Sequence, residues 1–160
     1  MGRFAVKMAR VCHVLDNVEL RVPCKPEYVR TVRTLVAEVA ESVSLAPEAI
    51  EEVKVATSEA VANIVRHAYV DTDQSPEPVV IRCERSPGKL TIEIIDRGVG
   101  FKVPAAGAVP VPDIAREGGL GIILIRNLMD SVNYWSQPNL GTRIKMTKHK
   151  NRSRPVNSEQ

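Results

Sequence analysis

Residues 89–100 read KLTIEIIDRGVG. The first seven, KLTIEII, are rich in β-branched and aliphatic side chains and read as a strand. That strand runs directly into Asp96-Arg97-Gly98-Val99-Gly100. An Asp at a strand end offers a carboxylate acceptor, and the two glycines let the backbone beside it make close contact with a ligand. An exocyclic amine, such as that of adenine, is a natural donor to such an Asp. The same five residues also suit an ordinary Asp-X-Gly turn.

Working outward, VVIRCER (79–85) reads as a second strand, and Ser86-Pro87-Gly88 makes a hairpin with 89–95. Further upstream, Pro47 fits the first turn of a helix that runs to about Tyr69, with Glu48, Glu51 and Glu52 at its positive end. VDTDQSPEP (70–78) is a turn-rich connection. From Glu27 to Val43, apolar residues at Val29, Val32, Leu35, Val36, Val39 and Val43 mark an amphipathic helix whose exposed side carries Arg30, Arg33 and Glu41. VLDNVELRV (14–22) alternates as a strand, broken by Pro23 and Pro26. Downstream of Gly100, residues 102–112 are rich in Pro, Ala and Gly, as expected of a functional lid. REGGLG then leads into a helix over ILIRNLMDSV, and VNYWSQ and GTRIKMTK form a second hairpin through Pro138-Asn139-Leu140-Gly141. This order predicts a mixed sheet of about five strands with helices on one face. It is not a strict βαβ alternation, which disfavours a doubly wound sheet.

The 160 residues suit one domain, and 44% apolar with 26% charged residues allows a core and solubility. Only 4% are aromatic, so the core must rest on Val, Ile, Leu and Ala. The net charge is +3, much of it from a basic tail between Lys145 and Arg154. No patterned basic stripe with aromatics is present, so no direct nucleic-acid contact is expected. Cys12, Cys24 and Cys83 have neither disulfide nor zinc spacing. MGRFAVKMARVCHVLDNVEL has no apolar run long enough for a signal peptide or membrane span, so a reducing cytoplasm is expected.

Three further constellations carry chemistry. On the second helix, SEAVANIVRHAY (58–69) spaces Glu59, Asn63 and His67 four apart. With Glu59 set at zero, Asn63 falls near ~40° and His67 near ~80°, against roughly 100–180° for Val53, Ala60, Ile64 and Ala68. The polar stripe thus borders the core, with Ala56 and Ala60 leaving room beside it. A half-buried carboxylate and amide suit Mg²⁺ coordination and proton handling. The spacing equally suits a solvated helix edge ending in a His. Glu117-Gly118-Gly119-Leu120-Gly121 opens a helix and offers a phosphate cradle, or simply a flexible loop and helix start. It is neither a P-loop nor a full GxGxxG. Gly141-Thr142 supplies one more hydroxyl for a base, or a plain hairpin turn.

The order and wording of these motifs resemble the GHKL ATPase superfamily. SEAVANIVRHAY is similar to its N box, IDRGVGF to its first glycine box, EGGLGIILIRNLMDSV to its second, and GTRIKMTK to its closing strand. VPCKPEYVRTVR and EEVKVATSEAVANIVRHAY resemble the RsbW-type anti-sigma-factor serine kinases of stress and sporulation switches. The likeness covers about residues 15–148.

It implies a Bergerat two-layer α/β sandwich with a mixed, mostly antiparallel sheet and three helices on one face. It implies a 14–148 ATPase domain between an extension (1–13) and a basic tail (149–160). Carried over by position, Asn63 would bind the Mg²⁺ of ATP and Glu59 would act as general base on a serine hydroxyl. Asp96, shaped by Gly98 and Gly100 and supported by Thr142, would take the adenine amine. Gly118, Gly119, Leu120 and Gly121 would close over the phosphates, and His67 would steady the site. The family implies a sigma factor and a STAS-type anti-anti-sigma protein as partners, with Arg30 and Arg33 as contacts, and a homodimer. A sigma-binding module with little kinase turnover and a stand-alone histidine-kinase-like ATPase are the alternatives. One departure bears on the lid: Glu117, beside Arg116, stands where sporulation-type members carry an Arg, and the stress-response branch also places an acidic residue there.

Overall fold

The computed structural model describes residues 16–70, 72–73, 75–100 and 119–150. Among them are β1 (Asp16–Val22), a 3-10 turn (Pro26–Tyr28), α1 (Val29–Ser42), α2 (Pro47–His67), β2 (Val79–Ser86), β3 (Lys89–Ile95), α3 (Gly119–Leu128), β4 (Ser131–Gln137) and β5 (Gly141–His149). The strands form one sheet in the order β1-β2-β3-β5-β4. Every pairing is antiparallel, in keeping with the mostly antiparallel five-stranded sheet expected. The β3–β5 contact is a long-range one, because the 102–112 segment and α3 come between these two strands in sequence.

Alternation assigns the two faces. Ile81, Cys83, Ile92, Ile94, Ile144 and Met146 are buried toward the helices. They meet Val32, Val36 and Val39 of α1, Val53, Ala60 and Ile64 of α2, and Ile125 of α3. The opposite face carries cross-strand ion pairs, Arg82–Glu19 at 2.7 Å and Arg143–Glu93 at 2.5 Å. This is the polar-out pattern of a sheet covered on one side only. Burial pushes the Cys83 thiol up to about 12, as befits a small hydrophobe.

Local chemistry sets the element ends. α1 stops in a Schellman motif: Ser44 adopts φ 56°, its amide donates to Glu41 O at 2.8 Å, and the Leu45 amide donates to Ala40 O at 3.3 Å. α2 has Pro47 and Glu48 in its first turn and Arg66 and His67 in its last, each suited to the helix dipole. In the β2–β3 hairpin, Ser86 pairs with Lys89 around Pro87 and Gly88, the latter at φ 68°. α3 differs from expectation. It begins at Gly119 and ends at Leu128, so Met129 to Val132 are not helical. The Asp130 amide donates to Thr147 O at 3.0 Å and Val132 pairs with Met146, which draws these residues into the sheet.

One core position is unfavourable. Thr57 is 0% exposed on α2, and its hydroxyl has no hydrogen-bond partner. An unpaired buried hydroxyl costs about 1–3 kcal/mol, and Val has the same shape without it. Thr57→Val is therefore expected to stabilise the fold by about 1 kcal/mol, read as a rise of about 3–4 °C in thermal melting.

Candidate functional site

The Asp96 loop is docked on the C-terminal end of α2. The Val99 amide donates to Ala68 O at 2.7 Å. Gly98 makes this approach possible, because a Cβ there would lie 2.0 Å from that same carbonyl oxygen. On its other side the loop meets the β4–β5 turn: the Asn139 amide donates to Val99 O at 2.8 Å. Gly100 has φ 62°, and a Cβ on it would lie 2.2 Å from Gln137 O. Gly141, at φ 90°, backs onto Asp96 O, where a Cβ would sit at 2.1 Å. Both the conformation and the contact therefore require glycine at 141.

Asp96 is 3% exposed at the end of β3. Its backbone pairs with Thr142 in both directions, at 2.9 and 3.3 Å. Its Oδ1 accepts from the Gly98 amide at 2.8 Å. Burial pushes the carboxyl above its ordinary range, while hydrogen bonds from Gly98 and Thr142 pull it back down. Thr142 in turn shares a 3.0 Å hydrogen bond with Ser136. Asp96 is thus a buried acceptor held rigidly, with lone-pair capacity left for an outside donor. Asp96 and Thr142 also line a cleft shared with Ser136, Ile95, Trp135 and Arg143. Ile95, Trp135 and Arg143 pair across the sheet on the face opposite Ile94 and Ile144, so that part of the cleft lies away from the helix side where Glu59 and Asn63 stand.

Glu59 and Asn63 are both half-buried on α2, beside buried Ala56 and Ala60. The N-terminal turn of α3 rests on them. A Cβ at Gly121 would lie 2.2 Å from Glu59 Oε1 and 3.0 Å from Asn63 Nδ2. The helix stripe, the Asp96 loop, the α3 start and Thr142 are therefore brought together. His67 is α2's last residue and is exposed. The side chain that reaches Asn63 is instead Arg66, whose Nη1 donates to Asn63 Oδ1 at 3.3 Å. Gly119 and Leu120 open α3, whereas Gly118 and the 102–112 lid lie outside the described residues, as do Arg116 and Glu117. Arg30 and Arg33 are exposed on α1, away from this cluster.

Sequence reasoning overlooked four contributors. Gly141 figures in the sequence only beside Thr142, as a base-side pair or a turn, and its packing on the Asp96 carbonyl is not legible there. Ser136 and Arg66 act through tertiary or i,i+3 contacts that no motif advertises. Tyr134 has a buried hydroxyl without a hydrogen-bond partner; burial pushes it up to about 12, with Arg126 pulling it down and Glu59 pushing it up. Among the described residues no group of three or more His, Cys, Asp or Glu is placed to hold a metal. A site offering one amide oxygen and a nearby carboxylate suits Mg²⁺ that takes its remaining ligands from phosphates and water.

The glycines divide into two classes. Gly98→Ala and Gly141→Ala press a methyl group onto backbone and are expected to destabilise by about 2–3 kcal/mol or more. Gly121→Ala displaces only side-chain ends and gains about 1 kcal/mol of helix propensity, so its melting temperature should stay near wild type. Asp96→Asn removes a charge that burial penalises, and should melt at or above wild type at neutral pH. The raised pKa means that the native state holds the Asp96 proton more tightly than the unfolded chain does. The penalty therefore fades as pH falls through that raised value, and the advantage of Asn should vanish with it in melting curves taken down the acid range.

Known proteins place the chain in a family. The histidine kinase-like ATPase domain family matches residues 22–148. The chain is 37% identical over 148 residues to the serine-protein kinase RsbW of Bacillus pumilus, covering 88% of this chain and 90% of that protein. It is 36% identical to the RsbW of Staphylococcus aureus, covering 84% and 87%. A crystal structure of the RsbU and RsbW domains of a Mycobacterium tuberculosis protein superimposes with a TM-score of 0.62 at 19% identity, covering 86% of this chain and 33% of that one. At that identity the likeness speaks for the fold. The chain belongs to the histidine kinase-like ATPase family, among the RsbW serine-protein kinases.

Proposed function

We propose that this chain sequesters an alternative sigma factor and uses Mg·ATP to phosphorylate a serine on a STAS-type anti-anti-sigma protein. The observation that carries the reading is the junction of Gly121 with Glu59 and Asn63, which sets a helix N-terminus over a carboxylate and an amide on the side of the sheet that holds the Asp96 loop. Adenine would be selected by the buried Asp96 carboxylate, supported by Thr142 and shaped by Gly98 and Gly100. The phosphates would meet free amides at the start of α3, from Gly118 to Gly121. Bound Mg²⁺ would neutralise phosphate charge, with Asn63 as its protein ligand. Glu59 would take the proton of the incoming serine hydroxyl. His67, exposed at the end of α2, would steady the site from its rim. Arg30 and Arg33 give α1 a basic surface suited to an acidic partner segment, and a homodimer in the cytoplasm completes the proposal. No described helix is long and apolar enough to cross a membrane.

Incubation with Mg·ATP and a folded STAS antagonist should yield phosphoserine, and its absence would sink the kinase reading. Glu59→Ala is expected to lower the rate by about 100-fold or more with nucleotide affinity retained. Asp96→Asn should lose adenine nucleotide binding while remaining folded. A sigma-binding module without useful turnover would instead keep antagonist-driven release intact in Glu59→Ala.

A further inference from the structure

α2 carries one more polar side chain above the Glu59–Asn63 stripe. Arg66 follows Asn63 by three positions and Glu59 by seven, so all three share a face, and long helical side chains lean toward the helix N-terminus. The Arg66 guanidinium does so: Nη1 donates to Asn63 Oδ1 at 3.3 Å and stands 4.0 Å from Glu59 Oε1. The Arg66 side chain is 53% exposed against 24% for Glu59, so it reaches the pair from the solvent side. The other end of the Asn63 amide, Nδ2, lies beside Gly121 of α3, where a Cβ would come within 3.0 Å of it. Oδ1 is the one atom of this side chain able to bind a cation. It is also the atom that Arg66 holds.

We propose that Arg66 is a positioning residue that sets the Mg²⁺ requirement of the site by competing for the Asn63 amide oxygen. The inference rests on the Mg·ATP reading above. A metal ion arriving at Oδ1 meets a guanidinium already bonded there, and two cations at one oxygen repel. The metal must therefore displace Arg66, which raises the Mg²⁺ concentration that nucleotide binding needs.

The test is binding of a fluorescent ATP analogue to the full chain, titrated with Mg²⁺ from EDTA. Arg66→Gln keeps a polar side chain without the charge, and Arg66→Lys keeps the charge. The half-saturating Mg²⁺ concentration should fall about 3- to 5-fold in R66Q and stay within about twofold of wild type in R66K, the upper range an exposed charged contact commands. Analogue affinity at saturating Mg²⁺ should match wild type in both. An unchanged Mg²⁺ requirement in R66Q overturns the proposal. Loss of analogue binding by R66Q at saturating Mg²⁺ also overturns it, because Arg66 would then be a phosphate ligand. If wild type binds no analogue at any Mg²⁺ concentration, the ATP reading falls and this inference with it.

Discussion

The structure turns on one hydrogen bond, from the Val99 amide to the carbonyl of Ala68. Ala68 is the first residue beyond α2, so its carbonyl has no helical partner of its own and would need water or a ligand. Using it to anchor the loop after β3 ties the sheet to the helix that carries Glu59 and Asn63. The bond can form only because Gly98 has no side chain to strike that carbonyl. The distance between the buried carboxylate of Asp96 and the polar stripe of α2 is thereby set by backbone, which does not change rotamer.

The same junction explains why Asp96 tolerates burial. A carboxylate withdrawn from water is costly unless it is hydrogen-bonded. Here the local turn supplies the Gly98 amide and the neighbouring strand supplies Thr142, which Ser136 orients. Burial still dominates, so the carboxyl keeps a raised pKa. The price is paid in stability, and the return is an acceptor that gains strength from its low-dielectric surroundings and is held in place before any donor arrives.

Much of this was legible in the sequence because periodicity and punctuation agree. The heptad-like spacing on α1, the four-residue spacing of Glu59 and Asn63, and the glycines after β3 each point to one local structure. Helix geometry alone placed Asn63 between core and solvent, where it stands half-buried. The misjudgements have a common cause. Met129 to Val132 look helical by composition, but Asp130 and Val132 are claimed by long-range pairing with β5, which no local window contains. The β3–β5 pairing likewise reaches across the segment between them, beyond any local window. The packing of Gly141 on the Asp96 carbonyl exists only once the β4–β5 turn is in place, and the Arg66–Asn63 contact lies within α2 but outside any motif.

α3 is held differently at its two ends, and that contrast follows from the glycine contacts. Its C-terminal end is pinned: the Leu128 carbonyl accepts from Lys148 Nζ at 2.7 Å, and Lys148, 8% exposed, also pairs with Glu52 of α2. A buried ammonium with both partners in place resists displacement, since removing either leaves an uncompensated charge. Ile125 is fully buried one turn earlier. Among the described residues of its N-terminal end, the contact with α2 is that of Gly121. Gly121 meets the carboxylate of Glu59 and the amide of Asn63, the far ends of side chains that can rotate. A shift of Gly121 against α2 therefore asks for new rotamers of Glu59 and Asn63, whereas movement of the Asp96 loop would require a backbone hydrogen bond to break. Rigidity is concentrated where a base would be recognised, and compliance where charge would be handled.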